Sequence, residues 1–237
     1  MSKVMMWVKL FVYLPAMYFS ALHGQKQPFS VRFEMAKTWS SMVLKKAKAK
    51  LVVSDAQHIP LQDGMLFVAN HQGSLDAFML LAASTVPFTA VSKVEGAKIP
   101  VLGAWYRCME VILFDRNDMR DSLRMVKECA ERLKIGHNIL IFPEGTRSYS
   151  NKVAPFKAGA LKCAMIAKVP VVPVALIDGH LPIDVGRKRV KVHVVYGLPI
   201  HYEEYETMNS QQLADECQLR IVEMIKKVKG ENYDEND

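Results

Sequence analysis

Met65-Leu66-Phe67-Val68-Ala69-Asn70-His71-Gln72-Gly73-Ser74-Leu75-Asp76, continued by Ala77-Phe78-Met79-Leu80-Leu81-Ala82-Ala83, runs from an unbroken apolar stretch through a polar turn into a second apolar stretch. The first stretch, Met65 to Ala69, has strand length and no polar alternation. A strand covered on both faces by helices reads this way, which is characteristic of parallel sheets. Leu75 to Ala83 reads as the helix that follows. Outward from here the pattern repeats. Leu51 to Val53, Phe88 to Ser92, Val111 to Phe114, Asn138 to Phe142 and Val171 to Leu176 read as strands. Arg120 to Leu133, Lys157 to Ala167 and Gln211 to Val228 read as helices. On the Arg120 helix, Leu123, Val126, Ala130 and Leu133 share one face, and Gly136 ends it. On the last helix, Leu213, Cys217, Ile221, Met224 and Val228 are expected to face inward. Val190 to Tyr196 alternates, as a strand at a sheet margin would. Strands alternating with helices predict an α/β domain, a mixed central sheet flanked by helices, over residues 51–230.

The first fifty residues have a different character. They hold nine of the chain's 31 Lys and Arg but only one acid, Glu34, so the net charge of +7 belongs to this end. Lys3, Lys9, Arg32 and Lys37 sit among Trp7, Phe11, Tyr13, Phe19, Phe33 and Trp39. Large apolar residues between basic ones suit a lipid interface, whereas a nucleic-acid arm is more polar. Val4 to Leu22 is an apolar run broken by Lys9 and Pro15. Ser30 is expected to cap a second helix reaching about Lys48, with Val31, Met35, Trp39, Met42 and Val43 in one stripe. Residues 1–50 therefore predict a membrane-associated helical hairpin that spans the bilayer, lies in one leaflet, or docks on the domain. The polar residues 231–237 read as a disordered tail.

A signal peptide fits Lys3 and the first apolar run, but not the second basic-apolar segment. Cys108, Cys129, Cys163 and Cys217 form no CxxC pair and lack zinc-ligand spacing. They read as reduced thiols in a protein on the cytoplasmic face of the cell membrane. GxSxG, P-loop, GxGxxG and HExxH signatures are all missing, which weakens hydrolase, NTPase, dehydrogenase and zincin readings.

Polar clusters close three of the apolar strands, where α/β proteins build sites. In Asn70 to Asp76, a turn histidine precedes a carboxylate in the first helical turn. Asp76 either orients His71 as a general base or simply answers the helix dipole. In Phe142-Pro143-Glu144-Gly145-Thr146-Arg147-Ser148, amides, a hydroxyl and a guanidinium suit a phosphate; a plain surface turn is the other reading. Phe114-Asp115-Arg116-Asn117-Asp118 is a polar turn with another arginine. A base without a nucleophilic Ser or Cys beside it implies a nucleophile carried by the substrate. Two arginine-bearing turns imply that the substrate is anionic.

These residues also resemble the glycerolipid acyltransferase family, in particular its 1-acyl-glycerol-3-phosphate acyltransferases. His71 and Asp76 match the HX4D motif, and Arg116 matches the arginine of the second block. Glu144, Gly145 and Arg147 match the third, and Val169 to Val174 the fourth, in the family's order. Lys93 and Glu95 resemble the segment between the first two blocks. The second block often has glycine where this chain has Glu110.

The resemblance implies that His71 deprotonates the 2-hydroxyl of a 1-acyl-glycerol-3-phosphate, which attacks an acyl-CoA or acyl carrier protein thioester. Asp76 would orient His71, and Arg116, Glu144, Gly145, Thr146 and Arg147 would bind the acceptor phosphate. Lys93 would lie near the donor or the oxyanion. Neither metal nor cofactor is expected, nor any nucleic-acid partner; an anionic membrane is. Two other readings stay open: acylation of glycerol-3-phosphate or another lysophospholipid, and a catalytically silent protein that binds anionic lipid.

Overall fold

The computed structural model describes residues 11–182 and 189–230. Lys3, Trp7, Lys9 and the tail assigned to 231–237 lie outside them. Two antiparallel helices come first, α1 (Leu14–Gly24) and α2 (Phe29–Lys46). There follow β1 (Ala49–Ser54), β2 (Leu66–Ala69), α3 (Asp76–Ala83), β3 (Thr89–Lys93) and α4 (Pro100–Cys108). Next are β4 (Ile112–Phe114), α5 (Met119–Lys134), β5 (Ile139–Ile141) and α6 (Lys162–Ala167). The series ends with β6 (Val171–Ile177), β7 (Val190–Tyr196), α7 (Tyr202–Tyr205) and α8 (Ser210–Lys229).

Among the described residues the strands form one seven-stranded sheet in the order β1-β7-β6-β2-β5-β3-β4. Only the β6–β7 pair is antiparallel. Every residue of β2, β5 and β6 is buried, which explains their unbroken apolar runs. Alternate residues feed two layers. Leu66, Val68, Ile139 and Ile141 pack with α5, α6 and α8. Met65, Phe67, Leu140 and Val172 pack with α2 and α3. Because β6, β2, β5, β3 and β4 are parallel neighbours, the loops leaving them emerge along one edge.

Pro15 follows the expected break, with Phe11 helical, Val12 and Tyr13 in a turn and a new helix from Leu14. It lies in the opening turn of α1, where its missing N–H has no helical partner to lose. Several other local expectations need correction. Pro28, not Ser30, occupies the N-cap position of α2. The core face of α2 is Phe33, Ala36, Ser40, Val43 and Leu44. Of the expected stripe, Val43 is buried there, and Trp39 and Met42 pack half-buried against the same core. Val31 is exposed, and Trp39 turns sideways to donate from Nε1 to Ser20 Oγ on α1 at 2.9 Å. On α5 the buried face uses Met125 and Cys129, while Leu123 stays outside. On α8, Ile225 is buried and Val228 exposed. β7 is not marginal either: β1 pairs with it in parallel from Ala49↔Val190 to Ser54↔Val195 and forms the edge itself.

The hairpin docks on the domain, α1 against α4 and α2 against α3. Among the described residues, no helix is long and apolar enough to cross a membrane. Arg32 of α2 reaches across to Glu110, just before β4, with Nη1 2.7 Å from Oε1. Glu110 has φ +53, a backbone geometry that glycine takes without strain. Where the resembled family often has glycine, this chain thus has a residue whose side chain ties the hairpin to the start of β4.

Candidate active site

β2 delivers the first loop. Asn70, fully buried, clamps its end to β6: Nδ2 donates to Leu176 O at 2.9 Å and Oδ1 accepts from Leu176 N at 2.7 Å. The fourth sequence block, Val169 to Val174, leads into this neighbouring strand. The chain then turns, and α3 opens on Asp76. Asp76 Oδ2 accepts three hydrogen bonds: from Gln72 N at 2.6 Å, Gly73 N at 2.9 Å and His71 Nδ1 at 2.7 Å. Both readings of Asp76 therefore describe it, since the same oxygen that folds the loop also grips the imidazole.

An oxygen already accepting two backbone N–H bonds places the imidazole proton on Nδ1, so Nε2 keeps its lone pair. The His71 ring also stacks on Phe142, with centroids 4.3 Å apart. Its side chain remains 20% exposed, against 1% for Asp76. An imidazole held in this way is suited to act as an oriented base.

β5 delivers the second loop. Glu144 corrects its expected role as a phosphate contact. It is buried, Oε1 accepts from His71 N at 2.6 Å, and Oε2 accepts from Ala154 N at 3.1 Å. Both oxygens are committed inward, and a carboxylate would repel a phosphate. Burial pushes its carboxyl up to about 7, with the two backbone bonds pulling downward and nearby Asp76 adding to the rise. Further ties bind the two loops together, Ser148 N to His71 O at 2.9 Å and Tyr149 N to Gln72 O at 3.0 Å. Gly145 takes φ +70 at the tip of the turn, and Thr146 and Arg147 beyond it are exposed.

From β4, Arg116 Nη1 donates to Gly145 O at 3.2 Å, so the second arginine-bearing turn meets the first. Lys93, at the end of β3, joins the same rim. Burial lowers its pKa most, followed by the charge of Arg116; Glu95 opposes this, and Arg147 and Lys157 add to it. Among the described residues, none of Lys93, Arg116, Arg147 and Lys157 is in an ion pair. Among them, too, no three His, Cys, Asp or Glu side chains are grouped to hold a metal. The four cysteines are buried and free.

Several contributors escape the motif reading. Gln72 Oε1 accepts from Gly179 N at 2.8 Å, and Gln72 Nε2 donates to Asn151 Oδ1 at 2.7 Å. Asn151 Nδ2 donates to Asp178 Oδ1 at 2.7 Å, and Lys229 Nζ donates to the same oxygen at 3.1 Å. Partners so distant in sequence leave no local signal. Lys157 carried one, a lone cation directly after the apolar Phe156.

A profile of the acyltransferase family matches residues 50–177. The chain belongs to this family. Among its relatives, the 1-acyl-sn-glycerol-3-phosphate acyltransferase of Salmonella typhimurium is 31% identical over 69% of each chain. A chloroplastic enzyme of the same name from Brassica napus is 31% identical over 81% of this chain and 55% of its own. A probable one from Mycoplasma pneumoniae is 27% identical, over 81% and 77%. The chain thus spans about half the length of the plant relative. The crystal structure of the 1-acyl-sn-glycerophosphate acyltransferase PlsC from Thermotoga maritima has the same fold. Its TM-score is 0.81 at 22% identity, over 98% of this chain and 96% of that one. All four sequence blocks of this acyltransferase fall inside the matched segment.

Gly179 supplies a test of the geometry. A Cβ there would lie 2.9 Å from Met79 Sδ and 3.1 Å from Asp76 Oδ1. The thioether can swing aside. Asp76 cannot do so easily, because its other oxygen is held by three donors. Gly179→Ala is expected to lower kcat by about tenfold or more, the sensitivity of a base to small misplacement, with a smaller effect on melting temperature. Unchanged kcat with a lowered Tm would show that the contact serves packing alone.

Proposed function

We propose that this acyltransferase transfers a fatty acyl group from an acyl thioester to the 2-hydroxyl of a 1-acyl-glycerol-3-phosphate, giving phosphatidic acid. The observation that carries this reading is an oriented His71 beside a rim of cations without ion pairs, with no Ser, Thr or Cys side chain bonded to its ring among the described residues. The names of the relatives support the acceptor. In this mechanism His71 Nε2 takes the hydroxyl proton as the oxygen attacks the thioester carbonyl. Asp76 steadies the imidazolium, and the donor's thiolate leaves with the proton held by His71. Arg116 and Arg147 hold the acceptor phosphate by charge-assisted hydrogen bonds, with the Gly145–Thr146 turn beside it. Lys93 faces the developing oxyanion or the donor. The donor is acyl-CoA or acyl carrier protein, and the chemistry calls for neither metal nor cofactor.

The hairpin completes the proposal. Phe11, Val12, Phe19 and Val31 are exposed on it, and the segment is strongly basic. We assign it to the anionic cytoplasmic face of the cell membrane, where the acceptor resides. Liposome binding is expected to weaken with salt yet keep a salt-resistant part. Binding to neutral vesicles equal to that on anionic ones would remove the electrostatic half of this assignment.

The direct test incubates purified protein and either acyl-CoA or acyl carrier protein thioester with lysophosphatidic acid, glycerol-3-phosphate or lysophosphatidylcholine and reads products by mass spectrometry. Phosphatidic acid is the expected main product. A preference for another acceptor would move the assignment to that lipid, and no product from any donor would leave a lipid-binding protein.

A further inference from the structure

The rim holds more positive charge than the assigned phosphate contacts use. A phosphate monoester carries about two negative charges near neutral pH. Arg116 and Arg147 match those two, while Lys157 stands beside them unassigned. Its placement is specific. A Cβ built on Gly145 would lie 3.0 Å from Lys157 Nζ. The ammonium therefore sits against Gly145, where a side chain would otherwise project, while Arg116 Nη1 bonds the carbonyl of the same residue. Two cations from separate loops thus converge on one glycine at the tip of the second site loop.

The backbone of Lys157 is held firmly. Its N–H donates to Pro143 O at 3.0 Å, its carbonyl accepts from Ala160 N at 3.0 Å, and the preceding Phe156 is buried. Only the side chain remains to adapt. Glu144, the nearest acid along the loop, has both oxygens bonded to backbone amides. Glu95 offsets part of the positive charge at Lys93, but the four cations outnumber it, and the repulsion left among them is relieved by an arriving anion. Lys157 and Arg116 both depress the pKa of Lys93, so the cluster is electrostatically one unit.

We propose that Lys157 is a further ligand of the acceptor's phosphate, its ammonium reaching the anion past Gly145, whose carbonyl Arg116 bonds. This rests on the acceptor reading given above. The glycine then has two reasons to be there: a left-handed turn, and an open path for the ammonium. The phosphate could also come from the donor, since coenzyme A carries phosphates, and the experiment separates the two.

Steady-state kinetics of Lys157→Ala and Lys157→Arg, with lysophosphatidic acid and acyl-CoA varied in turn, provide the test. Lys157→Ala is expected to raise KM for lysophosphatidic acid about tenfold, the low end for a charge-assisted bond at an exposed site. KM for acyl-CoA should not change, and Lys157→Arg should recover part of the loss. A rise confined to acyl-CoA would assign the ammonium to the donor and overturn the proposal. So would equal losses on lysophosphatidic acid and monoacylglycerol, which would mark a structural role. A second measurement is independent of turnover: the thermal upshift given by glycerol-3-phosphate should shrink in Lys157→Ala relative to wild type. If wild type fails to acylate lysophosphatidic acid, the acceptor reading falls, and this binding measurement still decides whether Lys157 meets a phosphate. An undiminished upshift refutes it.

Discussion

Replacing His71 with alanine is expected to reduce kcat by about 10²–10⁴, the usual worth of a general base, and by more if no water can substitute for it. Asp76 Oδ2 would keep its bonds from Gln72 N and Gly73 N, so the loop should hold its shape. The melting temperature should therefore move little, although the ring stacked on Phe142 is lost. Asp76→Asn should be nearly as damaging for a different reason. The amide oxygen can occupy the Oδ2 position and satisfy the same donors. The negative charge that steadies the imidazolium is then gone, and the new NH2 lies in the Oδ1 position, where no acceptor is bonded. Residues that act as one unit are not additive, so the double variant should be scarcely worse than either single one. Retention of more than about a tenth of wild-type kcat by His71→Ala would end the assignment of His71 as the base.

The second large effect is expected at the arginines. Charge-assisted hydrogen bonds contribute about 1.5–3 kcal/mol each, so Arg116→Ala with Arg147→Ala should cost about 10²–10⁴ in kcat/KM for lysophosphatidic acid. The informative comparison is with monoacylglycerol, which lacks the phosphate. Wild type should strongly prefer the phosphorylated acceptor, and the double variant should lose most of that preference. If the loss lies in KM, the phosphate is gripped equally before and during reaction. If it lies in kcat, the grip serves to place the hydroxyl against His71. Arg147→Lys should fall between, because an ammonium supplies charge without a planar fork of donors. Should the double variant discriminate as well as wild type, these arginines serve the donor or the fold.

The parts of this site that could be read from sequence are those built by neighbours. His71 and Asp76 are five residues apart across a strand, a turn and a helix start, so their meeting follows from local geometry. The strands could be read because burial on both faces leaves an unbroken apolar run. Directions set by distant partners could not be read. Glu144 looks outward in its motif, yet His71 N and Ala154 N draw both oxygens inward. The clamp from Asn70 to Leu176 joins residues 106 apart. The faces of α2 are hidden from sequence for the same reason. Periodicity shows that a helix has an apolar stripe but not which neighbour it meets. Here Phe33, Ala36, Ser40, Val43 and Leu44 enter the core, and Trp39 packs half-buried at its margin with its Nε1 bonded to α1. The alternation of β7 gave no sign that β1 would cover its outer side.

That last pairing bears on how the chain comes to be folded during synthesis. β1 leaves the ribosome well before its partner β7, which begins at Val190. At about 5–20 residues per second, the stretch between them takes on the order of ten seconds to make. Over that interval the N–H and C=O groups of β1 have no strand to bond, and the apolar face of α2 just before it has no finished sheet to cover. Nascent chains stalled before Val190 should accordingly be cut by protease near β1, and those stalled with β7 clear of the exit tunnel should resist. The last sheet neighbour to form is thus the one that closes the register between the first and last strands of the sheet, making completion of the sheet a late event.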